Sequence, residues 1–149
     1  MPTSSKSPKA TKSLLTVIIL VAVAILLLFG AKEPKVLVFD NHIQIKGMYG
    51  VKIDFAEISD ITLIDRSMRE IGVGRRIGGY KSSFGETLKG NFESSQTGKT
   101  LLFVQSKTAP TIKIDRIDKD KKDVYISFKY SEYTKQVFNE LRTAFMNVE

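Results

Sequence analysis

Few residues in this chain of 149 could carry out catalysis or bind a metal ion. There is no cysteine, which excludes a disulfide framework, a zinc finger and a thiol nucleophile. The single histidine, His42, excludes a histidine-rich metal site. Asp118, Asp120 and Asp123 alternate with lysines that repel a cation, and no bidentate glutamate follows them. The sequence therefore predicts neither a metal site nor a cofactor.

Two glycine-containing stretches match nucleotide-binding motifs only in part. Gly98 and Lys99 match the end of a phosphate-binding loop, but position 93 holds glutamate instead of glycine, and strand-forming residues follow. Gly72 and Gly74 match the start of a dinucleotide fingerprint, but Ile77 occupies the place of its third glycine and no βαβ pattern surrounds it. With no visible nucleophile or acid/base pair, the sequence predicts a protein that is not an enzyme.

The most informative chemical feature is a basic segment at residues 66–89. Residues 32–149 contain 20 basic and 16 acidic residues, a net charge of +4. Residues 66–89 contain six basic and two acidic residues, so the whole excess lies in this segment. Five glycines also lie there, which favours a long mobile loop between two strands. The candidate residues for binding an anion or a partner are Arg66, Arg69, Arg75, Arg76 and Lys81.

Arginine side chains on such a loop present planar donors to phosphate or carboxylate groups. Three interpretations stay open: a solvated loop with no specific ligand, a site for anionic lipid head groups, and a contact surface for a protein partner. Nucleic acid is disfavoured, because only Tyr80 and Phe84 bring aromatic rings among the basic residues.

Residues 14–31 form an apolar stretch with one hydroxyl group and no charge. As a helix this stretch is about 27 Å long, close to the roughly 30 Å hydrocarbon core of a bilayer. It is apolar on every face, unlike a helix at the surface of a soluble domain, and it predicts a transmembrane helix. A cleaved signal peptide is the alternative, although cleavage after Ala31 would place Phe29 where a small residue is needed.

The tail at residues 1–13 is rich in Ser, Thr, Lys and Pro and is expected to be disordered. Its three lysines, Lys6, Lys9 and Lys12, face no acidic residue, whereas Lys32 and Lys35 follow the apolar stretch. The positive-inside rule then predicts a cell-membrane protein with a cytoplasmic N-terminus and an extracytoplasmic domain.

Beyond the apolar stretch, hydrophobic residues alternate with polar ones, which is typical of half-buried strands. The clearest strands are predicted at residues 42–46, 61–63, 88–92, 112–114 and 124–128. Short turn-forming stretches leave no room for crossover helices, so we expect seven or eight antiparallel strands that curl into a barrel or two orthogonal layers. Near the C-terminus, Val137, Leu141 and Phe145 lie on one face of an amphipathic helix, which is expected to cover an open end of that barrel.

Several short motifs resemble the bacterial pleckstrin-homology (PH-like) domain family. They occur at residues 45–51, 58–61, 90–92, 98–99, 110–112 and 124–127 and are followed by the closing helix. The resemblance implies a PH-like antiparallel barrel of about seven strands with a C-terminal helix, covering residues 36–146. It brings no set of catalytic residues.

These observations favour a single-pass membrane protein that carries a mainly β, non-enzymatic binding or scaffolding domain beside the bilayer. The predicted partners are the lipid bilayer and either anionic lipid head groups or a protein. One alternative is a structural or accessory subunit of a membrane complex, and another is a PH-like domain secreted after signal cleavage.

Overall fold

The computed structural model describes residues 8–148 and begins with one long helix, α1 (Pro8–Ala31). This helix contains an 18-residue window, Thr11–Leu28, that is long and apolar enough to cross a membrane. No side chain within this window is buried. The disordered tail was expected to reach residue 13, but residues 8–13 are helical. Proline is well tolerated in the first turn of a helix, and polar residues can extend an apolar helix into water. Residues 1–7 of the predicted tail lie outside the described residues.

Three residues after α1 the chain enters a three-stranded antiparallel sheet. Its strands are β1 (Lys35–Val38), β2 (His42–Lys46) and β3 (Val51–Asp54), in that spatial order. In β2 the alternation predicted from the sequence is present, because Ile43 and Ile45 are buried. A single 3-10 turn (Phe55–Glu57) then leads into the second sheet.

The second sheet has six strands, in the spatial order β4-β8-β9-β7-β6-β5. Their ranges are β4 (Ile58–Ile64), β5 (Arg75–Lys81), β6 (Thr87–Ser94), β7 (Gly98–Gln105), β8 (Thr111–Arg116) and β9 (Asp123–Ile126). A short helix, α2 (Met68–Ile71), separates β4 from β5, and α3 (Ser131–Met146) follows β9.

The described part of the chain differs from the predicted barrel of about seven antiparallel strands in the number of strands, in the absence of closure and in the direction of one strand. Residues 8–148 form nine strands in two sheets, with no closed barrel. The sheet is also not wholly antiparallel, because β9 pairs with β7 in parallel. After β7 the chain passes over one position to form β8 beside β4, and β9 then turns back into the gap and runs in the direction of β7. A hairpin pattern in the sequence does not indicate which strand will be inserted between two others.

The predicted mobile loop at residues 66–89 is wrong, because this segment contains α2, β5 and the start of β6. Strand β5 pairs with β6 from Arg75 opposite Glu93 to Lys81 opposite Leu88. The glycines serve close pairing: a Cβ on Gly79 would lie 2.3 Å from the carbonyl oxygen of Lys89. Glycine here allows the backbones of two paired strands to approach each other closely. From the sequence alone, the same glycines are interpreted as a sign of a mobile loop.

The two faces of the six-stranded sheet bury separate clusters. On one face, residues such as Phe103, Ile114 and Ile126 pack against β2, β3 and α3 to form the main core. On the other face, a smaller core contains Met68 of α2 together with Leu88, Phe92, Leu102, Val104 and Tyr125. Alternate residues of β7 and β9 therefore reach different cores.

Candidate functional site

The five basic residues predicted as a site are distributed over α2, β5 and the connection between β4 and α2. Arg66 lies in that connection, Arg69 lies in α2, and Arg75, Arg76 and Lys81 lie in β5. Only Arg69 and Lys81 meet at a common surface, an open cleft of about 430 Å³.

Helix α2 holds Arg69 in place although it is a single turn. Ser67 caps the helix: its backbone N–H donates to the Glu70 carboxylate at 2.8 Å, and its hydroxyl accepts from the Glu70 N–H at 3.4 Å. The hydrogen bond from the Ser67 backbone is the main reason that the pKa of Glu70 is lowered. Met68 is fully buried in the smaller core, and the Arg69 N–H donates to the Ser106 carbonyl at 2.9 Å. These contacts fix the start of the Arg69 side chain at the edge of the cleft.

The cleft combines basic, hydroxyl and apolar groups. Arg69, Lys81 and Lys107 supply the charge, Ser83 and Ser106 supply hydroxyl groups, and Val73, Phe84 and Leu88 supply apolar surface. We name this set the basic cleft. Lys107 was not among the predicted residues, because it lies 18 residues beyond the basic segment in sequence.

The turn between β5 and β6 forms one wall of the basic cleft. Ser106 holds this turn: its hydroxyl donates to the Gly85 carbonyl at 2.7 Å and its N–H donates to the Glu86 carbonyl at 2.6 Å. Phe84, at the tip of the turn, is 87% exposed. An aromatic side chain this exposed is available to a partner or to a lipid surface.

The three cations of the basic cleft differ in their local pairing. Lys107 forms an exposed ion pair with Glu86 at 3.2 Å, which offsets part of its charge. Within the described part of the chain, the side chains of Arg69 and Lys81 form no ion pair. These two side chains can therefore bind an anionic group without first breaking an ion pair.

The other predicted residues do not join the cleft. The Arg75 guanidinium is bound to Glu93, with Nη2 2.7 Å from Oε2, and this hydrogen bond lowers the pKa of Glu93. Arg76 is the next residue of β5 and is exposed, and Arg66 is exposed in the connection before α2. Sequence proximity grouped five residues, but Arg75 and Lys81 lie at opposite ends of β5, where they pair with Glu93 and Leu88.

A second group of basic residues lies where α1 meets the β domain. Lys32, Lys35, Lys46 and Lys89 line a pocket of about 610 Å³ together with Glu33, Gly47 and Met48. We name this set the junction pocket. Sequence reasoning missed it because its members come from three separate parts of the chain. The only signal in the sequence was a lysine, Lys89, inside a strand pattern in which it was expected to face solvent.

Among residues 8–148, no group of three or more histidine, cysteine or acidic residues is arranged to hold a metal ion. Comparisons with protein-family models, with curated proteins and with solved structures found no match to this chain.

Proposed function

We propose that this protein is a single-pass membrane protein whose β domain is a non-enzymatic binding module held next to the bilayer. The observation that carries the proposal is α1, which has an 18-residue apolar window with no buried side chain. Burial of this surface in lipid removes it from water, and the main core of the β domain is completed without it. Only three residues separate α1 from β1, so the domain stays close to the membrane surface.

Two further roles are compatible with the same helix. As a signal sequence it would release the β domain, and as a packing helix it would make the protein an accessory subunit of a membrane complex. The short connection to β1 favours the anchored module, because this length holds the domain against the bilayer. The relation to bacterial PH-like domains belongs to this proposal and is supported by the succession of strands before a C-terminal helix.

The proposed orientation has the N-terminus in the cytoplasm and the β domain outside it, on the basis of Lys6, Lys9 and Lys12. A Lys121→Cys variant tests this orientation, since Lys121 is exposed and the natural chain has no cysteine. A membrane-impermeant maleimide should label this variant in cells whose cytoplasmic membrane is intact, after permeabilisation of any outer membrane. Labelling only after disruption of the cytoplasmic membrane would place the domain in the cytoplasm.

The basic cleft is the proposed binding surface, and its ligand is an acidic segment of a partner protein that also carries apolar side chains. Arg69 and Lys81 supply positive charge to carboxylates, whereas Val73, Phe84 and Leu88 offer apolar contacts in the same opening. A carboxylate held by a cationic side chain contributes about 1.5–3 kcal/mol of binding free energy. An anionic lipid head group would use the charge, but it would leave the apolar side chains of the cleft without a partner.

Photo-cross-linking in cells tests this surface. A photoreactive phenylalanine analogue at position 84 should form a discrete protein adduct. Arg69→Gln combined with Lys81→Gln should reduce that adduct by about tenfold or more, because each lost charged contact weakens binding by about 1.5–3 kcal/mol.

The matched control is Arg75→Gln combined with Arg76→Gln, which removes the same charge from β5 without touching the cleft. This control should keep the protein adduct. An equal loss of the protein adduct in the two double variants would show that only the net charge of the domain matters, and not the position of the cleft. Adducts with lipid alone would favour a lipid surface over a protein partner.

A further inference from the structure

The junction pocket lies at the depth of the lipid head groups if α1 spans the bilayer. The apolar window of α1 ends at Leu28, and the pocket begins four residues later at Lys32. Four helical residues cover about 6 Å, and the head-group layer on each side of the hydrocarbon core is about 5–8 Å thick. A tilt of α1 by about 20° changes this short distance by less than about 1 Å, so the pocket stays within the head-group layer.

The pocket concentrates positive charge in an arrangement that is unfavourable without an anion. Four lysines and one glutamate line it. Lys35 and Lys46 lie directly opposite each other in the pairing of β1 with β2. Like charges in directly opposite positions destabilise a sheet, and a bound anion would relieve their repulsion.

Lys89 is the most unusual member of the pocket because its side chain lies on the main-core face of the six-stranded sheet. It pairs with Phe103, which belongs to the main core, and the residue is only 2% exposed. Its Nζ donates to the backbone carbonyl of Lys32, which accepts one of its three N–H groups. Loss of solvation lowers the pKa of Lys89, and the nearby Glu33 carboxylate opposes this effect. A buried ammonium group is costly to a domain unless an anion compensates it.

The remaining surface of the pocket suits an amphiphile better than a free ion. Met48 and the aliphatic parts of the lysine side chains supply apolar walls next to the charges. A phospholipid can place its phosphate among the ammonium groups while its acyl chains enter the bilayer beside α1. Free inorganic phosphate would make only the charged contacts.

We propose that the junction pocket binds the head group of an anionic phospholipid, with Lys35, Lys46 and Lys89 as its cationic ligands. This proposal rests on the membrane insertion of α1 proposed above. The bound lipid would fix the angle between the β domain and the membrane, and it would thereby set the orientation of the basic cleft relative to the membrane surface.

Native mass spectrometry of the full chain, released from detergent micelles, tests the proposal. The micelles contain equal amounts of phosphatidylglycerol and phosphatidylcholine with the same acyl chains. The natural chain should retain one phosphatidylglycerol in preference to phosphatidylcholine. Lys46→Gln combined with Lys89→Met should reduce this preference by about tenfold or more, because two charged contacts are lost.

The matched control is Lys99→Gln combined with Lys135→Gln, which removes the same charge from exposed positions outside the pocket. It should retain phosphatidylglycerol like the natural chain. The Lys89→Met substitution removes a buried charge, so the melting temperature of this variant without lipid should not fall. An unchanged melting temperature would show that the domain remains folded after the substitution.

Equal retention of the two lipids by the natural chain would overturn the proposal, and so would unchanged selectivity in the Lys46/Lys89 variant. Displacement of the lipid by millimolar inorganic phosphate would overturn the lipid assignment in favour of a free-anion site. Extraction of membranes with alkaline carbonate reports on α1 alone: release of the chain contradicts the proposed anchor. Loss of lipid selectivity in a chain that resists extraction contradicts only the head-group site.

Discussion

The two faces of the six-stranded sheet are covered very differently. On the main-core face, β2, β3 and α3 supply a second layer, and Leu141 of α3 is fully buried. On the other face, the single turn of α2 places Met68 over the smaller core, and the basic cleft lies beside it. The face with the larger cover stabilises the domain, whereas the face with the smaller cover leaves room for a ligand.

The basic cleft and the junction pocket also differ in which face of the sheet they use and in how deeply their charges are buried. Arg69 and Lys81 of the basic cleft are exposed and lie next to the smaller core, so they add charge at little cost to stability. Lys89 of the junction pocket lies on the main-core face and is buried. Its charge therefore opposes folding. We interpret a buried charge of this kind as a binding residue, because a bound anion would compensate it.

The largest effect is expected for Leu141→Ala on the main-core face. Removing a fully buried leucine side chain costs about 2–5 kcal/mol of the free energy of unfolding. That is a large part of the roughly 5–15 kcal/mol by which domains of this kind are stable. The melting temperature of the full chain in detergent should fall clearly, whereas Asn139→Ala on the exposed side of α3 should change it little. An unchanged melting temperature for Leu141→Ala would mean that α3 is not docked on the sheet.

A smaller effect is expected for Met68→Ala on the opposite face. Met68 is fully buried, but a one-turn helix can settle into the space it leaves, so we expect about 2 kcal/mol, the lower end of the range for methionine. The variant should also weaken the cross-link formed at position 84, because α2 positions Arg69. Calorimetry and the cross-linking assay measure the two effects separately. A loss of stability as large as that of Leu141→Ala would show that both faces support the fold equally.

Much of the local structure could be predicted from the sequence. The alternation at residues 42–46 and 88–92 lies within β2 and β6, and the spacing of Val137, Leu141 and Phe145 gives the buried face of α3. Such patterns are local, because the face on which a residue lies follows from the period of its own strand or helix. The order of the strands could not be obtained in this way, since the insertion of β9 between β8 and β7 depends on contacts between distant segments.

The candidate site was predicted less well than the strands. The sequence singled out residues 66–89 by their charge and glycine content, and two of the five predicted residues, Arg69 and Lys81, do line the basic cleft. The pairing of β5 with β6 places Arg75 opposite Glu93, where it forms an ion pair outside the cleft. Lys107 lines the cleft from the turn that follows β7, a position that no spacing in the sequence could reveal.

By itself, the sequence determined the properties that depend on composition and on short-range periodicity. These are the apolar helix, the mainly β domain, the closing helix and the absence of cysteine. Tertiary structure alone decided which charges become neighbours and which become buried. Lys89 shows the reason. A strand pattern assigns alternate residues to two faces, but both faces of this sheet become interior only when β2, β3 and α3 pack on one and α2 packs on the other. A lysine predicted to face water therefore lies in the junction pocket, at the point where α1 meets the β domain.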